Sequence, residues 1–179
     1  MSALFASRRR ALRLIAAAAA GAMLPLAGCG RPDAFPPRVG SSFPSFDLPD
    51  LDGRMHRLAD HAGSPLLINF WATWCPPCRA EMPDLQALHL RLAARGLRVL
   101  GISVDDAADP VREFLLKNPV AFPILLDSRR ALAGALRLEG YPTSFLIGRD
   151  GVIVETISGV RPWGDAEYAG SIARRLALE

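Results

Sequence analysis

The sequence predicts an α/β sandwich on a mixed β-sheet, and three stretches carry that reading. Residues 65–71 hold the nearly continuous apolar run Leu66-Leu67-Ile68-Asn69-Phe70, the pattern of a strand covered on both faces. A helix pattern over 75–95 follows, with Leu85, Leu88 and Leu92 at helical spacing and Gly96 as its stop; 97–104 is the next apolar strand. Strand, helix and strand in that order imply a right-handed parallel unit. Residues 143–147 and 152–157 flank Asp150-Gly151 and read as an antiparallel hairpin, which makes the sheet mixed.

The other elements fill in around this frame. Residues 43–48 and 54–58 are extended on either side of the turn signal Asp52-Gly53, an N-terminal hairpin. Asp109-Pro110 opens a second helix reaching Lys117, with Asp109 expected as N-cap and Pro110 as the first helical residue. Residues 122–126 read as a short strand and 129–136 as a short helix. A closing helix over 165–178 has Ile172 and Leu176 four apart.

A chain of 179 residues has room for one domain with a hydrophobic core and a short extra segment. Residues 1–28 have the order of a targeting segment: a basic stretch ending at Arg13, then an apolar stretch from Leu14 to Leu26 that is too short for a convincing membrane span. It ends in Leu26-Ala27-Gly28-Cys29, which resembles the lipobox of bacterial lipoproteins, where the cysteine becomes a lipidated N-terminus. The alternatives are a cleaved secretory signal or an uncleaved anchor. Ser7-Arg8-Arg9-Arg10 also resembles a twin-arginine export signal, with ordinary secretion as the alternative. Each route leads out of the cytoplasm, to the cell envelope. Proline-rich residues 29–42 are expected as a tether and 43–179 as the domain. The formal charge of +3 falls to −1 without the four arginines of 1–28, so nothing in it favours nucleic acid.

With Cys29 assigned to lipidation, Cys75 and Cys78 remain. They stand where a buried strand gives way to a helix, in Trp74-Cys75-Pro76-Pro77-Cys78. Cysteines three apart lie on one face of the first turn and can close a disulfide without large movement. The first faces the positive end of the helix dipole and unsatisfied N–H groups, which favours thiolate. Cys75 is therefore the expected nucleophile and Cys78, one turn inside, the resolving thiol. Pro76 and Pro77 fit the first turn, where N–H groups have no helical partner. Zinc would need two further ligands, and His56, His61 and His89 have no ligand spacing to one another. A purely structural disulfide would close too small a loop to matter.

The segment Trp71-Ala72-Thr73-Trp74-Cys75-Pro76-Pro77-Cys78-Arg79-Ala80-Glu81-Met82-Pro83 resembles the thioredoxin superfamily, and within it the TlpA/ResA-type branch that includes the CcmG-like proteins. The resemblance spans 40–178 and implies a thioredoxin-like fold with a mixed central sheet flanked by helices. It also implies an N-terminal hairpin and a helix–strand insertion within 105–127. It implies that Pro83 kinks the active-site helix and that Pro142, after Tyr141, is a cis-proline facing the dithiol. Asn69 replaces the buried aspartate of cytoplasmic thioredoxin, and an amide cannot carry a proton. Glu81, one turn after Cys78, is the expected proton acceptor for Cys78 during resolution; the alternative is a solvated first-turn glutamate. Trp74, Pro76, Pro77, Tyr141 and Pro142 are expected to face the partner, and Trp71 to lie in the core.

The activity implied is that of a protein thiol–disulfide oxidoreductase without cofactor, most simply a reductase. Implied substrates are disulfide-bearing proteins, either apocytochrome c during cytochrome c maturation or a copper-site protein. Electrons would come from a membrane thiol relay of the DsbD or CcdA kind, and the membrane would be reached through the lipid on Cys29. Three alternatives stand beside this. The same site could donate disulfides as an oxidase. A peroxiredoxin-like peroxidase would need Thr or Ser where Ala72 stands. A copper-binding module would have Met82 as its only adjacent soft ligand.

Overall fold

The computed structural model describes residues 37–178. The expected leader 1–28, Cys29 and the tether up to residue 36 lie outside the described residues. Gly40, near the end of the expected tether, and Phe43, at the start of the expected domain, donate backbone N–H bonds to Ile153 and Gly151, so the chain pairs with the sheet's edge from Gly40 onward.

The N-terminal hairpin forms from β1 (Asp47–Pro49) and β2 (Met55–Arg57), with Leu48 opposite His56. Its turn is held by Asp50 Oδ1, which accepts the N–H groups of Asp52 and Arg54, and Gly53 supplies the left-handed residue at φ 81°. Next come β3 (Leu66–Trp71), α1 (Pro76–Leu92), β4 (Arg98–Ser103), α2 (Ala108–Lys117), β5 (Ile124–Leu126) and α3 (Ala131–Ala135). The chain closes with β6 (Thr143–Ile147), β7 (Ile153–Ser158) and α4 (Ala166–Arg175).

The five-stranded sheet has the order β5-β4-β3-β6-β7. β3, β4 and β5 are parallel, while β6 runs antiparallel to β3 and β7 antiparallel to β6. All six residues of the central strand β3 are buried, as its apolar run predicts for a strand with helices on both sides. Its one polar member, Asn69, is opposite Ser144 of β6. Helix α1 lays Cys78, Glu81, Met82, Leu85, Leu88 and Leu92 on its buried face and runs through Pro83. A short 3-10 turn, Ala93–Arg95, then ends at Gly96, whose φ of 92° suits glycine.

The start of α2 differs from the expectation. Its N-cap is Ala107, in extended conformation and without a side-chain cap, so Asp109 and Pro110 are the second and third helical residues. The first four N–H groups of a helix have no intrahelical partner, so proline is tolerated there beyond the first position. Asp109 still serves the dipole from inside the turn. Asp165 does cap α4, accepting the N–H of Tyr168 at 2.8 Å.

Candidate active site

The end of β3 sets the loop that carries the dithiol. Val104 N–H bonds to the carbonyl of Trp71, keeping the two parallel strands in step to their ends. The buried carboxylate of Asp105 then holds the loop from below. It accepts the backbone N–H of Thr73 at 3.0 Å, the Thr73 hydroxyl at 2.6 Å and the Ser103 hydroxyl at 2.8 Å. Asp105 was not singled out by the sequence, where it is one of several aspartates after a strand.

Cys75 is the N-cap of α1 and is joined to Cys78 by a disulfide, with Cα atoms 5.3 Å apart. The structure is therefore of the oxidised form. Both cysteines are buried, Cys78 completely. Cys75 Sγ accepts the backbone N–H of Cys78 at 3.3 Å. Pro76 and Pro77 occupy the first two helical positions and offer no N–H. Across the site, the Tyr141–Pro142 peptide is cis, and the carbonyl oxygen of Tyr141 is 3.6 Å from Cys75 Sγ. The Tyr141 ring stands edge-on to that of Trp74, with centroids 5.8 Å apart. Trp74 is 55 % exposed, whereas Trp71 is fully buried.

Glu81 is not a solvated first-turn glutamate: it is 1 % exposed and lies on the same face of α1 as Cys78. Oε1 accepts the side-chain amide of Asn69 at 2.8 Å, and Oε2 the indole N–H of Trp163 at 2.9 Å. The second amide hydrogen of Asn69 goes to Ser144 Oγ at 2.9 Å. Burial pushes the Glu81 carboxyl above the ordinary carboxylate range; the hydrogen bonds from Trp163 and Asn69, and smaller pulls from Arg161, act against it and do not overcome it. A carboxyl so placed can take up and release a proton beside a dithiol at a pH where a solvated glutamate would stay ionised.

The fold thus gathers Trp74, Cys75, Pro76, Pro77, Cys78 and Glu81 from one short stretch of chain at the head of α1, and brings Tyr141 and Pro142 to them from the loop before β6. Trp163 was missed. It lies in the loop before α4, far from the motif in sequence, and no local pattern marks it. Met82, the one soft ligand beside the dithiol, is buried in the core. His56, His61 and His89 line a single cavity of about 650 Å³ between the N-terminal hairpin and the far end of α1. Among the described residues no three His, Cys, Asp or Glu side chains converge to hold a metal.

Comparison with known proteins agrees with this geometry. A family model described as the AhpC/TSA family matches residues 39–156. The thiol-disulfide oxidoreductase ResA of Geobacillus thermodenitrificans is 37 % identical over 121 residues, covering 68 % of this chain and 70 % of the relative. The ResA of Bacillus subtilis is 32 % identical over 120 residues, 67 % of each chain. The crystal structure of a thiol:disulfide interchange protein of the thioredoxin family from Chlorobium tepidum superposes with a TM-score of 0.66 at 30 % identity. It covers 76 % of this chain and 97 % of that one. The five-stranded mixed sheet with a Cys-x-x-Cys pair at the head of its first long helix is therefore the thioredoxin-like fold. With this dithiol and these relatives, the chain belongs to the AhpC/TSA family and is a thiol–disulfide oxidoreductase of ResA type.

Proposed function

We propose that this protein reduces disulfides of partner proteins outside the cytoplasm. The observation that carries the reading is the poverty of hydrogen-bond donors around Cys75. In the first turn of α1 its sulfur receives one backbone N–H, from Cys78, because Pro76 and Pro77 have none to give. A dithiol is a strong oxidant when its reduced form is stabilised, chiefly through the thiolate. The unsatisfied N–H groups expected at the helix start are thus reduced to one at this sulfur, so the thiolate gains little from hydrogen bonds, the disulfide is favoured, and the pair gives electrons readily.

The exchange has two steps. The Cys75 thiolate attacks one sulfur of the partner's disulfide; a Cys75–partner bond forms, the partner's S–S bond breaks, and one partner thiolate leaves. Cys78 then loses its proton to Glu81 and attacks the Cys75 sulfur. The intramolecular disulfide forms, the Cys75–partner bond breaks, and the second partner sulfur leaves as a thiolate that takes its proton from water; two electrons have passed to the partner. Trp74, Tyr141 and Pro142 face the incoming chain. The protonated Glu81 carboxyl returns its proton to Cys78 when a donor reduces the pair again.

The partners fitting this reading are proteins with a closely spaced disulfide, such as an apocytochrome c before haem attachment or a copper-site protein. A membrane thiol relay of the DsbD or CcdA kind would restore the dithiol. Lipid on Cys29 would tether the domain beside it. No helix among the described residues is long and apolar enough to cross a membrane.

Equilibrating the protein without residues 1–29 against defined thiol–disulfide buffers, and reading Cys75–Cys78 by alkylation and intact mass, tests the reading. A midpoint well below about −200 mV is expected; one near about −120 mV would make the protein a disulfide donor.

A further inference from the structure

Arg130 stands in a conformation that favours glycine and yet carries one of the largest side chains. Its backbone is left-handed, φ 53° and ψ 29°, at the N-cap of α3. The backbone is fixed by its neighbours: its N–H bonds to the carbonyl of Asp127 at 2.7 Å, and the Asp127 carboxylate accepts the N–H of Ala133 at 2.8 Å. The side chain then reaches back across the end of the sheet. Nε–H donates to the carbonyl of Val104 at 3.2 Å, and Nη2 to Asp106 Oδ1 at 3.1 Å. So held, the guanidinium lies over the Trp74 ring, 5.8 Å from its centroid.

Trp74 is the residue before Cys75, and an exposed indole there would be free to turn. Arg130 covers its face while the Tyr141 ring meets it edge-on. The same Tyr141 offers its carbonyl 3.6 Å from Cys75 Sγ, so the pinned ring borders the place where a partner's sulfur must arrive. We propose that Arg130 is a positioning residue that fixes the Trp74 ring as a wall beside Cys75, against which the chain flanking a partner protein's cysteine docks. This rests on the reductase reading above and assigns to Arg130 the choice of extended peptide disulfides over small ones. A small disulfide needs only the sulfur and no wall.

Two disulfide probes separate the outcomes: a synthetic peptide holding one Cys-Ala-Ala-Cys disulfide with several residues on either side, and the small disulfide of 2-mercaptoethanol. The second-order rate constant of the reduced protein is measured with each. Arg130→Gly should slow the peptide about tenfold and leave the disulfide of 2-mercaptoethanol within about twofold, since glycine is at ease in the left-handed backbone. Arg130→Lys keeps a charge near the ring but lacks the fork that bonds Val104 and Asp106 together, and should recover part of the rate. Trp74→Ala should slow the peptide at least as much, and the double variant should be no slower than Trp74→Ala alone. Equal losses on both probes, losses that multiply in the double variant, or an unchanged peptide rate would each overturn the assignment. An unsubstituted protein that reduced neither probe would instead remove the reductase reading itself.

Discussion

At Glu81, burial and hydrogen bonding pull in opposite directions. The carboxyl is shut away from water, which favours its neutral form, while Asn69 and Trp163 each donate to one oxygen, which favours the ion. Burial is the larger effect, so the group titrates above its ordinary range and still has a fixed orientation when ionised. Asn69 takes on a meaning here that its residue type alone does not convey. Read as a missing proton carrier, it looks like a loss; in place, it is the donor that a buried carboxylate 2.8 Å away requires. Asn69→Asp would set two carboxyls against each other, and both cannot ionise at that distance. The titration of the pair should move upward, and the pH midpoint for resolving a mixed disulfide on Cys75 should shift alkaline by about one unit or more. A midpoint that stays in place would show that Glu81 does not govern the step.

At the scale of elements, the decisive one is the first turn of α1. The sequence makes most of it legible: the cysteine spacing, the two prolines that fit only a first turn or a loop, and the apolar stripe behind them. Periodicity also places the strands, because burial on both faces leaves a continuous run and a hairpin leaves a glycine turn. The cap of α2 was less legible, since proline satisfies the same constraint at any of the first positions. The donor shortage at Cys75 belongs to this scale. Pro77→Ala restores an N–H at the second helical position, one of the two from which an N-cap side chain accepts. A hydrogen bond to a thiolate stabilises the reduced form, so the midpoint potential should rise by about 30 mV, the two-electron equivalent of a tenfold change in equilibrium constant. An unchanged potential would mean that the prolines act only by stiffening the turn.

On the scale of the whole molecule, the site is a meeting point of distant segments. Glu81 comes from α1, Asn69 from β3, Ser144 from β6 and Trp163 from the loop before α4. Asp105, after β4, holds the loop between β3 and α1, and Arg130, at the head of α3, holds Trp74. What one helix turn contains could be read from the chain, and Tyr141-Pro142 was found because the resemblance pointed to it. Trp163, Asp105 and Arg130 act only through contacts that the fold closes, and nothing in their neighbours in sequence sets them apart. In the proposed exchange this assembled carboxyl receives the proton of Cys78. The most direct test is the single-turnover rate of disulfide closure from a mixed disulfide on Cys75, followed across pH in the unsubstituted protein and in Glu81→Gln. Glu81 accepts a proton only when ionised, so the unsubstituted rate should climb as pH rises through its raised titration. Glu81→Gln should lose that limb and stay slow until the thiol itself ionises. A variant with the rate and pH profile of the unsubstituted protein would contradict the account.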